Sequence, residues 1–327
     1  MNNHPTAIIG AGMAGLSAAA VLNAAGHRVQ IFDKSRGSGG RMASKRTEFG
    51  ALDLGVRFFC ATDPGFAKVI EQWQALGWVS RWKADAYTVR DGACEPAARQ
   101  ERWVGLPRMS SLTRGLLGTL AATFGCRITE VIRGEHHWQL LDAEGNDHGP
   151  FDQVIVATPA PQAAALLAAS PRLAAVAASV SMEPIWAVAA GFEPGLAFVG
   201  DCVEVSGGPL SWAMRNASKP GRDDKADTWV LHASHSWTKQ HLDLPKEQVI
   251  EQLLSAFAEV IGTALPMPTF TLAHRWLYAQ PGQAHSWQFL SSPETGLYAC
   301  GDWCSSGSVE AAWLSGQAAA RQILARQ

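Results

Sequence analysis

The chain begins with short apolar segments separated by glycines. Residues Thr6–Ile9 are apolar and partly β-branched, a pattern that predicts a buried strand. Residues 14–22 are almost wholly apolar and predict a helix, which Gly26 would end. Residues 27–32 predict a second strand, and Asp33 follows at its end. This part of the chain is therefore predicted to be a strand–helix–strand unit whose second strand ends in a carboxylate.

Apolar segments recur in the rest of the chain. Residues 152–156 and 297–300 predict buried strands, and residues 185–192 and 228–233 predict two more. Two helices are predicted from apolar residues at intervals of three and four, and their apolar stripes are Val249, Leu253, Phe257 and Val260 in one and Val309, Ala312, Trp313, Gly316, Ala319, Ala320 and Ile323 in the other. Strands and helices both occur along the chain, so we predict an α/β fold.

Composition restricts the possible functions. With 327 residues, 47% of them hydrophobic, the chain is large enough for two domains. A net charge of -2 argues against a surface for nucleic acid or for an anionic membrane. No apolar run reaches the roughly 18 residues that span a bilayer, and the apolar residues 13–25 lack the basic segment that precedes a signal peptide. We expect a cytoplasmic protein without nucleic-acid or membrane partners, and its oligomeric state is left open.

The six cysteines are Cys60, Cys94, Cys126, Cys202, Cys300 and Cys304. Only Cys300 and Cys304 are close in sequence, and they have neither a second pair nor a histidine partner at metal-binding spacing. We therefore expect reduced thiols and no metal site.

The GAGMAG loop, residues 10–15, joins the first strand to the helix. In a dinucleotide-binding unit Gly10 would allow the tight turn, Gly12 would let the backbone approach a pyrophosphate, and Gly15 would let the helix pack against the sheet. The helix N-terminus would face the phosphates, and Asp33 would accept a hydrogen bond from the adenosine ribose. The loop therefore predicts an adenine-dinucleotide site.

A second glycine-rich loop, RGSGGRM at residues 36–42, follows Asp33. A nicotinamide-binding unit has no need of such a loop, whereas in FAD enzymes the chain here passes the pyrophosphate on its way to the flavin. The loop has one extra residue before its double glycine but otherwise resembles the R-x-G-G-R motif of the flavin-containing amine oxidase superfamily. The strand at 152–156 and the Gly301-Asp302 pair resemble two further motifs of that superfamily. The resemblance implies FAD, held noncovalently because residues 270–298 contain no cysteine that could tether it.

The resemblance also implies which residues contact FAD. Arg41 would lie beside the pyrophosphate and the isoalloxazine, and Asp302 beside the ribityl–pyrophosphate part. The helix that starts at Val309 would stabilise negative charge on the reduced flavin ring. The full set of expected FAD contacts is Gly10, Ala11, Gly12, Met13, Gly15, Asp33, Lys34, Gly40, Arg41, Met42, Val56, Arg57, Val131, Gly301, Asp302 and Val309.

The FAD motifs occupy both ends of the sequence and a middle segment, which predicts a discontinuous Rossmann-type FAD-binding domain. Its expected pieces are residues 1–61, 99–164 and 289–327. Residues 62–98 and 165–288 would form a substrate domain, an α+β insert built on an antiparallel sheet with helices on one side. Within the insert, residues 206–209 and 219–224 are predicted loops.

Four further segments narrow the resemblance. They are FGALDLGVRFF at 49–59, the pair His232-Ala233, SKPGR at 218–222 and HRWLYAQP at 274–281. Together they look like the bacterial renalase-like proteins. That resemblance implies oxidation of dihydro-NAD(P) isomers that carry the hydride at position 2 or 6 of the nicotinamide ring. The hydride would pass to FAD and the electrons to dioxygen, giving NAD(P)⁺ and hydrogen peroxide.

Four residues are candidates for the substrate pocket: His232, Trp287, Arg57 and Phe58. His232 can equally be a hydrogen-bonded core histidine, and Trp287 can equally serve sheet packing. Because the loss of one hydride completes the oxidation of a dihydropyridine, the site needs no base, only flat placement against the flavin at about 3–3.5 Å. Amine oxidases commonly hold a lysine–water pair near the flavin. No such pair is predicted, because none of the insert lysines stands out as buried (Lys68, Lys83, Lys219, Lys225, Lys239 and Lys246).

Alternatives remain open. The chain could be a flavin amine oxidase acting on a small amine, or an NAD(P)H-dependent flavin monooxygenase. A nonenzymatic relative, such as a prenylated-protein chaperone, would have lost the flavin loops that this sequence keeps. A disulfide reductase is excluded, because no C-x4-C follows the first strand–helix–strand unit. The sequence leaves open which dihydronicotinamide isomer is used and whether NAD or NADP is preferred.

Overall fold

The computed structural model describes residues 4–326. The strands are β1 (Thr6–Ile9), β2 (Val29–Asp33), β3 (Lys45–Thr47), β4 (Gly50–Leu52), β5 (Val79–Arg81), β6 (Ala86–Arg90), β7 (Ala93–Pro96), β8 (Trp103–Gly105), β9 (Ala122–Phe124), β10 (Ile128–Arg133), β11 (Trp138–Asp142), β12 (Asp147–Phe151), β13 (Gln153–Val156), β14 (Met182–Phe192), β15 (Cys202–Val205), β16 (Leu210–Arg215), β17 (Asp227–Ala233), β18 (Phe270–Pro281), β19 (Leu290–Ser292) and β20 (Leu297–Ala299). The helices are α1 (Met13–Ala24), α2 (Pro64–Ala75), α3 (Ser110–Leu117), α4 (Ala160–Leu166), α5 (Pro171–Ala178), α6 (His235–Gln240), α7 (Lys246–Ile261) and α8 (Val309–Leu324). Short 3₁₀ turns occur at Gly40–Met42, Asn216–Ser218 and Asp302–Cys304.

A six-stranded sheet combines distant parts of the chain in the order β19-β20-β13-β1-β2-β9. All neighbouring strands are parallel except β19 and β20. In register, Thr6 lies beside Val29 on one side and beside Gln153 on the other. The predicted strand–helix–strand unit is therefore present, and the strands predicted at 152–156 and 297–300 extend the same sheet.

Both faces of this sheet are covered, as its apolar strands require. Ile8 and Ile31 pack in the cluster that contains α1 and α8. Ile9 and Phe32 pack in the cluster that contains α4, α5 and the antiparallel strands β10 to β12. Since side chains alternate along a strand, consecutive apolar residues fill both cores.

The second sheet has seven strands in the order β18-β14-β17-β16-β15-β6-β7. It is antiparallel except for the parallel pair β15 and β6. Trp229 and Leu231 pack under α7, against a stripe that includes Val249, Leu253 and Phe257. Val230 and His232 point to the opposite face, where Val230 joins the core of the six-stranded sheet. The predicted α/β fold with an antiparallel second sheet is confirmed.

The first predicted insert piece, residues 62–98, is divided between the two parts of the molecule. Its strands β6 and β7 join the seven-stranded sheet. Helix α2 packs on α8 instead, with the Phe66 and Trp313 rings 5.3 Å apart, and β5 pairs with β8. The domain boundaries stay a prediction.

The structure also bears on the cysteines and on membrane-spanning helices. The six cysteines are free, with Cys94 exposed and Cys60 partly buried. Within residues 4–326, none of the helices has the length and apolarity needed to cross a bilayer.

Candidate active site

The three loop glycines meet different surroundings. Gly10 has a φ of +113° and lies so close to Ala157 that an added Cβ would come within 2.7 Å of its carbonyl oxygen. An added Cβ on Gly15 would overlap the Gly10 carbonyl oxygen. Gly12 differs, because an added Cβ would meet no atom within 4 Å. Gly10 and Gly15 are thus required by the protein's own packing, and the open space is at Gly12, where a pyrophosphate would approach.

The start of helix α1 suits an anion. Gly12 is its N-cap, no side chain caps the helix, and its first turn, Met13 included, contains no acidic residue. The free backbone N–H groups and the helix dipole of such an end favour a phosphate. The second glycine loop lies against it, since Gly39 N donates to Ala11 O at 2.9 Å and an added Cβ on Gly40 would lie 3.8 Å from Gly12 Cα. These residues fit an FAD pyrophosphate.

Asp33 holds both loops in place. Its Oδ2 accepts a hydrogen bond from Ala11 N and its Oδ1 accepts one from Ser35 N, each at 2.7 Å. Lys34 follows Asp33, and burial together with the nearby Arg127 charge lowers the pKa of its ammonium. Asp33 therefore has a second task besides its expected contact with ribose.

We expect Asp33→Ala to weaken FAD binding by about 1.5–3 kcal/mol, because a charge-assisted acceptor is lost. Asp33→Asn, which keeps one oxygen acceptor, should give a smaller loss. Titration of the apoprotein with FAD measures both. Asp147→Ala, an exposed acid on strand β12, is the control and should bind FAD as the wild type does. An unchanged affinity in Asp33→Ala would contradict the assigned contact.

Arg41 and Asp302 come together from motifs 261 residues apart. The Arg41 guanidinium donates to the two carboxylate oxygens at 2.8 and 2.6 Å, and Nη1 also donates to Ala279 O at 2.8 Å. Asp302 is buried, and Gly301 N donates to Ser315 Oγ at 3.0 Å. The two residues expected to contact FAD therefore hold each other in a two-pronged ion pair.

The remaining predicted FAD contacts occupy three places. Val56 N donates to Arg41 O at 2.9 Å, so the segment 53–59 lies directly on the second glycine loop, where Met42 is buried. Val309 opens α8, whose N-cap Ser308 accepts from Ala311 N. Val131 lies in the core on the side of β10 to β12. Their contacts with FAD stay predictions.

His232 is buried at the centre of the seven-stranded sheet and faces the segment 53–59. Its Nε2 lies 2.9 Å from Leu54 O. A carbonyl oxygen only accepts, so Nε2 carries the proton and Nδ1 carries a lone pair, which is enclosed and has no hydrogen-bond partner. Burial, and next the Arg57 charge, lower the pKa of His232 to about 3. The ring is therefore neutral at physiological pH.

Phe58 and Arg57 lie among aromatic and basic side chains. The Phe58 ring is 5.8 Å from that of Trp212 and 6.3 Å from that of Trp82. The Arg57 guanidinium lies over the Trp212 ring at 4.6 Å, and the Arg102 guanidinium over Phe58 at 5.3 Å. Trp212 is also the cross-strand neighbour of His232. Three of the four substrate candidates, His232, Phe58 and Arg57, therefore lie around Trp212, and we call this group the aromatic wall.

Trp287 packs elsewhere. The Trp287 ring stacks on the His285 ring at 4.3 Å, and its backbone N–H donates to Cys304 O. Its apolar neighbours belong to the core that contains α4, α5 and the strands β10 to β12. The tryptophan that reaches the segment 53–59 is Trp276, whose Nε1 donates to Leu54 O at 3.1 Å. A substrate contact by Trp287 stays a prediction, and Trp276 is the aromatic residue that sequence reasoning missed.

The expectation of no buried lysine in the insert is wrong. Lys219 is buried, and its ammonium lies 3.2 Å from Asp53 and 5.6 Å from the centre of the Trp82 ring. Arg222 pairs with the same carboxylate. The segment SKPGR has the composition of a solvated loop. The side chains of its Lys219 and Arg222 are nevertheless buried, because both pair with the carboxylate of Asp53, which is 166 residues before Lys219.

Comparisons with known proteins agree with this geometry. The profile of a family described as flavin containing amine oxidoreductase matches residues 99–324, more than half of the chain. A profile described as an NAD(P)-binding Rossmann-like domain matches residues 8–75. A 4,4'-diapophytoene desaturase (4,4'-diaponeurosporene-forming) of Staphylococcus haemolyticus (strain JCSC1435) is 47% identical over 57 residues, 17% of this chain. The matched segment spans only 11% of that desaturase.

Solved structures share the fold over nearly the whole chain. One, from Exiguobacterium sp. 255-15 and provisionally assigned as a protoporphyrinogen oxidase, has a TM-score of 0.79 at 14% identity and full coverage of both chains. Wild-type putrescine oxidase bound to putrescine has a TM-score of 0.74 at 14% identity, over 99% of both chains. At such low identities the likeness establishes the fold alone.

Proposed function

We propose, from the premise that this chain belongs to the family of flavin containing amine oxidoreductases, that it oxidises dihydronicotinamides. The chain is an FAD-dependent oxidoreductase. The proposed substrates are dihydro-NAD(P) isomers with the transferable hydride at position 2 or 6 of the ring. One molecule of substrate, one dioxygen and one proton would give NAD(P)⁺ and hydrogen peroxide. FAD, when bound, supplies the hydride acceptor and passes the electrons to dioxygen.

The observation that carries the proposal is the charge of the aromatic wall. Phe58 and Trp212 are partly exposed aromatic rings, and the cations of Arg57 and Arg102 lie over one face of each. An amine substrate reaches the site largely as an ammonium ion, which such cations repel. A dihydronicotinamide ring is uncharged, so the wall accepts it without that cost.

The protonation state of His232 supports the same choice. A histidine whose pKa is lowered to about 3 by burial is too weak a base to take a proton from an ammonium ion. Its Nδ1 is enclosed, so it is not available as a base to a substrate.

The test is anaerobic stopped-flow reduction of the bound flavin. We expect 2- or 6-dihydro-NAD(P) to reduce it at least about 100-fold faster than putrescine or another small amine, equivalent to about 2.7 kcal/mol of barrier. The rate should stay flat between about pH 6 and 9, because His232 is neutral throughout and the donor loses no proton.

Other outcomes would identify the alternatives. A rate that rises with pH, together with rapid reduction by an amine, would replace the proposal with amine oxidation. Consumption of ordinary 4-dihydro-NADPH together with a hydroxylated product would point to a monooxygenase. Reduction by none of these donors would overturn the proposal.

A further inference from the structure

Arg57 is a cation without a counter-ion. Among residues 4–326 its guanidinium has no hydrogen bond and no ion pair, and its Nε is fully enclosed. Its contacts are the Trp212 ring at 4.6 Å and, more distantly, the Phe58 ring at 6.0 Å. Glu204, the cross-strand neighbour of Trp212, is exposed and forms no ion pair with Arg57. Arg57 as a whole is only partly buried, and its enclosed Nε is an unsatisfied donor on a charged group, so the guanidinium is free to bind an anion.

The side chains around Arg57 do not supply that partner. Arg102 is buried, its Nη1 donates to Gln100 O at 3.2 Å, and its Nε is enclosed without a partner. Lys219 and Arg222 share the single carboxylate of Asp53. Burial raises the pKa of the Cys202 thiol to about 11, although the nearby charges of Arg102, Arg57 and Lys219 act to lower it. Cys202 is therefore a neutral thiol, and the wall keeps an excess of positive charge.

We infer that Arg57, supported by the Trp212 face, forms a subsite for an oxyanion group of the substrate, a phosphate or a carboxylate. A guanidinium presents two parallel N–H donors that match either group, and stacking on an aromatic ring fixes its plane. The inference rests on the proposed function for the identity of the group, which in a dihydronicotinamide nucleotide would be a phosphate. An amino acid would bring a carboxylate to the same donors.

The surface beyond this wall also favours anions. An open cavity of about 760 Å³ has Trp82 and Arg102 in its lining, and these two residues also lie 6.3 Å and 5.3 Å from the centre of the Phe58 ring. Its lining contains the cations Arg81, Lys83, Arg99 and Arg102 against the carboxylates of Asp85 and Glu101. Such an excess raises the local concentration of anionic ligands.

The first experiment compares donors that differ only in the anionic group. One pair is 6-dihydronicotinamide mononucleotide and its riboside, which lacks the phosphate. The other pair is an α-amino acid and the amine that lacks its carboxylate. For the pair that reduces the flavin, we expect the anionic member to bind about 10- to 100-fold more tightly, as a charged hydrogen-bond pair allows. Equal binding of the two members would overturn the subsite, and equal binding of the two dihydronicotinamides would do so while leaving the proposed function standing.

Variants assign that preference to Arg57. In Arg57→Gln the anionic donor should lose its advantage over the donor without the anion, when both are measured on the same FAD-loaded protein. Arg57→Lys should keep part of the preference for the anionic donor, because the positive charge stays but the two parallel N–H donors of the guanidinium are lost. Arg90→Gln, an exposed arginine on β6 with the same change of charge, is the control and should behave as the wild type. The melting temperature of Arg57→Gln should not fall, because no partner in the protein is left unpaired. A marked fall, with the preference retained, would make Arg57 structural.

A binding measurement keeps the inference testable if no donor reduces the flavin. Pyrophosphate and benzoate are titrated separately into the oxidised holoenzyme while its visible spectrum is recorded. We expect at least one of them to bind about 10-fold or more tightly to the wild type than to Arg57→Gln. Tighter pyrophosphate indicates a phosphate-bearing substrate, and tighter benzoate a carboxylate. Equal dissociation constants in both proteins would overturn the subsite.

Discussion

Replacing Asp53 by asparagine should lower the free energy of unfolding by about 3–5 kcal/mol, because it leaves buried cations uncompensated. Asp53 is fully enclosed and accepts hydrogen bonds from Ser44 Oγ at 2.7 Å, Lys219 Nζ at 3.2 Å and the Arg222 guanidinium. Chemical denaturation at pH 7 of the wild type and the variant, each with FAD bound, measures the difference.

Controls separate this effect from an ordinary loss of charge. Asp243→Asn makes the same substitution in an ion pair with Arg275 whose carboxylate is 93% exposed, and should cost at most about 1 kcal/mol. Adding Lys219→Met to Asp53→Asn removes one uncompensated cation and should recover part of the loss. A cost in Asp53→Asn no larger than in Asp243→Asn would contradict the proposed role of the buried carboxylate.

The same carboxylate predicts a dependence on pH. Burial alone raises the pKa of Asp53, but the charges of Lys219 and Arg222 outweigh it and hold the pKa below its ordinary value. A carboxyl group with a lowered folded-state pKa stabilises the fold above its unfolded pKa and loses that contribution as the pH falls through the folded value. The stability curves of wild type and Asp53→Asn should therefore lie apart at neutral pH and approach each other below about pH 4.

Gly15→Ala should cost about 3 kcal/mol or more and prevent formation of the yellow holoenzyme. The new methyl group would overlap the Gly10 carbonyl oxygen, a backbone atom that cannot turn away as a side chain can. Overpacking of this kind usually costs about 1–3 kcal/mol, and a clash with backbone belongs at the upper end or beyond. Thermal unfolding of the apoprotein and FAD titration measure the two effects.

Gly12→Ala is the matched control, since it makes the same substitution three residues earlier. Its methyl group enters open space and its φ of -83° suits alanine, so the apoprotein should keep its melting temperature. FAD affinity should still fall, because the methyl group occupies the path of the pyrophosphate. Equal stability of the Gly12→Ala and Gly15→Ala apoproteins would contradict the assignment of the two roles.

The elements that sequence predicted correctly depend on local patterns. The strands at 6–9 and 152–156 and helix α8 follow from apolar spacing, which reports burial within a few residues of chain. For the same reason the helix predicted from the stripe Val249, Leu253, Phe257 and Val260 is present as α7. The close packing of Gly10 and Gly15 also follows from their spacing in one turn, and the approach of a pyrophosphate to Gly12 stays a prediction.

The features that sequence missed depend on contacts between distant residues. Lys219 and Arg222 are separated from Asp53 by 166 and 169 residues, and nothing in SKPGR distinguishes them from solvated cations. Trp276 lies in β18 and its Nε1 reaches Leu54 O, whereas Trp287 follows β18 and packs in the other core. Which tryptophan reaches the segment 53–59 is decided by packing, which apolar spacing does not report.

The close packing of α1 on α8 affects when this protein can fold during its synthesis. Ser17 Oγ donates to Trp313 O at 2.8 Å across 296 residues, and an added Cβ on Gly316 would overlap the Ala14 carbonyl oxygen. A ribosome that adds about 5–20 residues per second needs about 15–60 s to make those 296 residues. Throughout that interval the apolar face of α1 lacks its cover. Helix α1 is synthesised long before the helix on which it packs, so the nascent chain carries an uncovered apolar helix until α8 has been made.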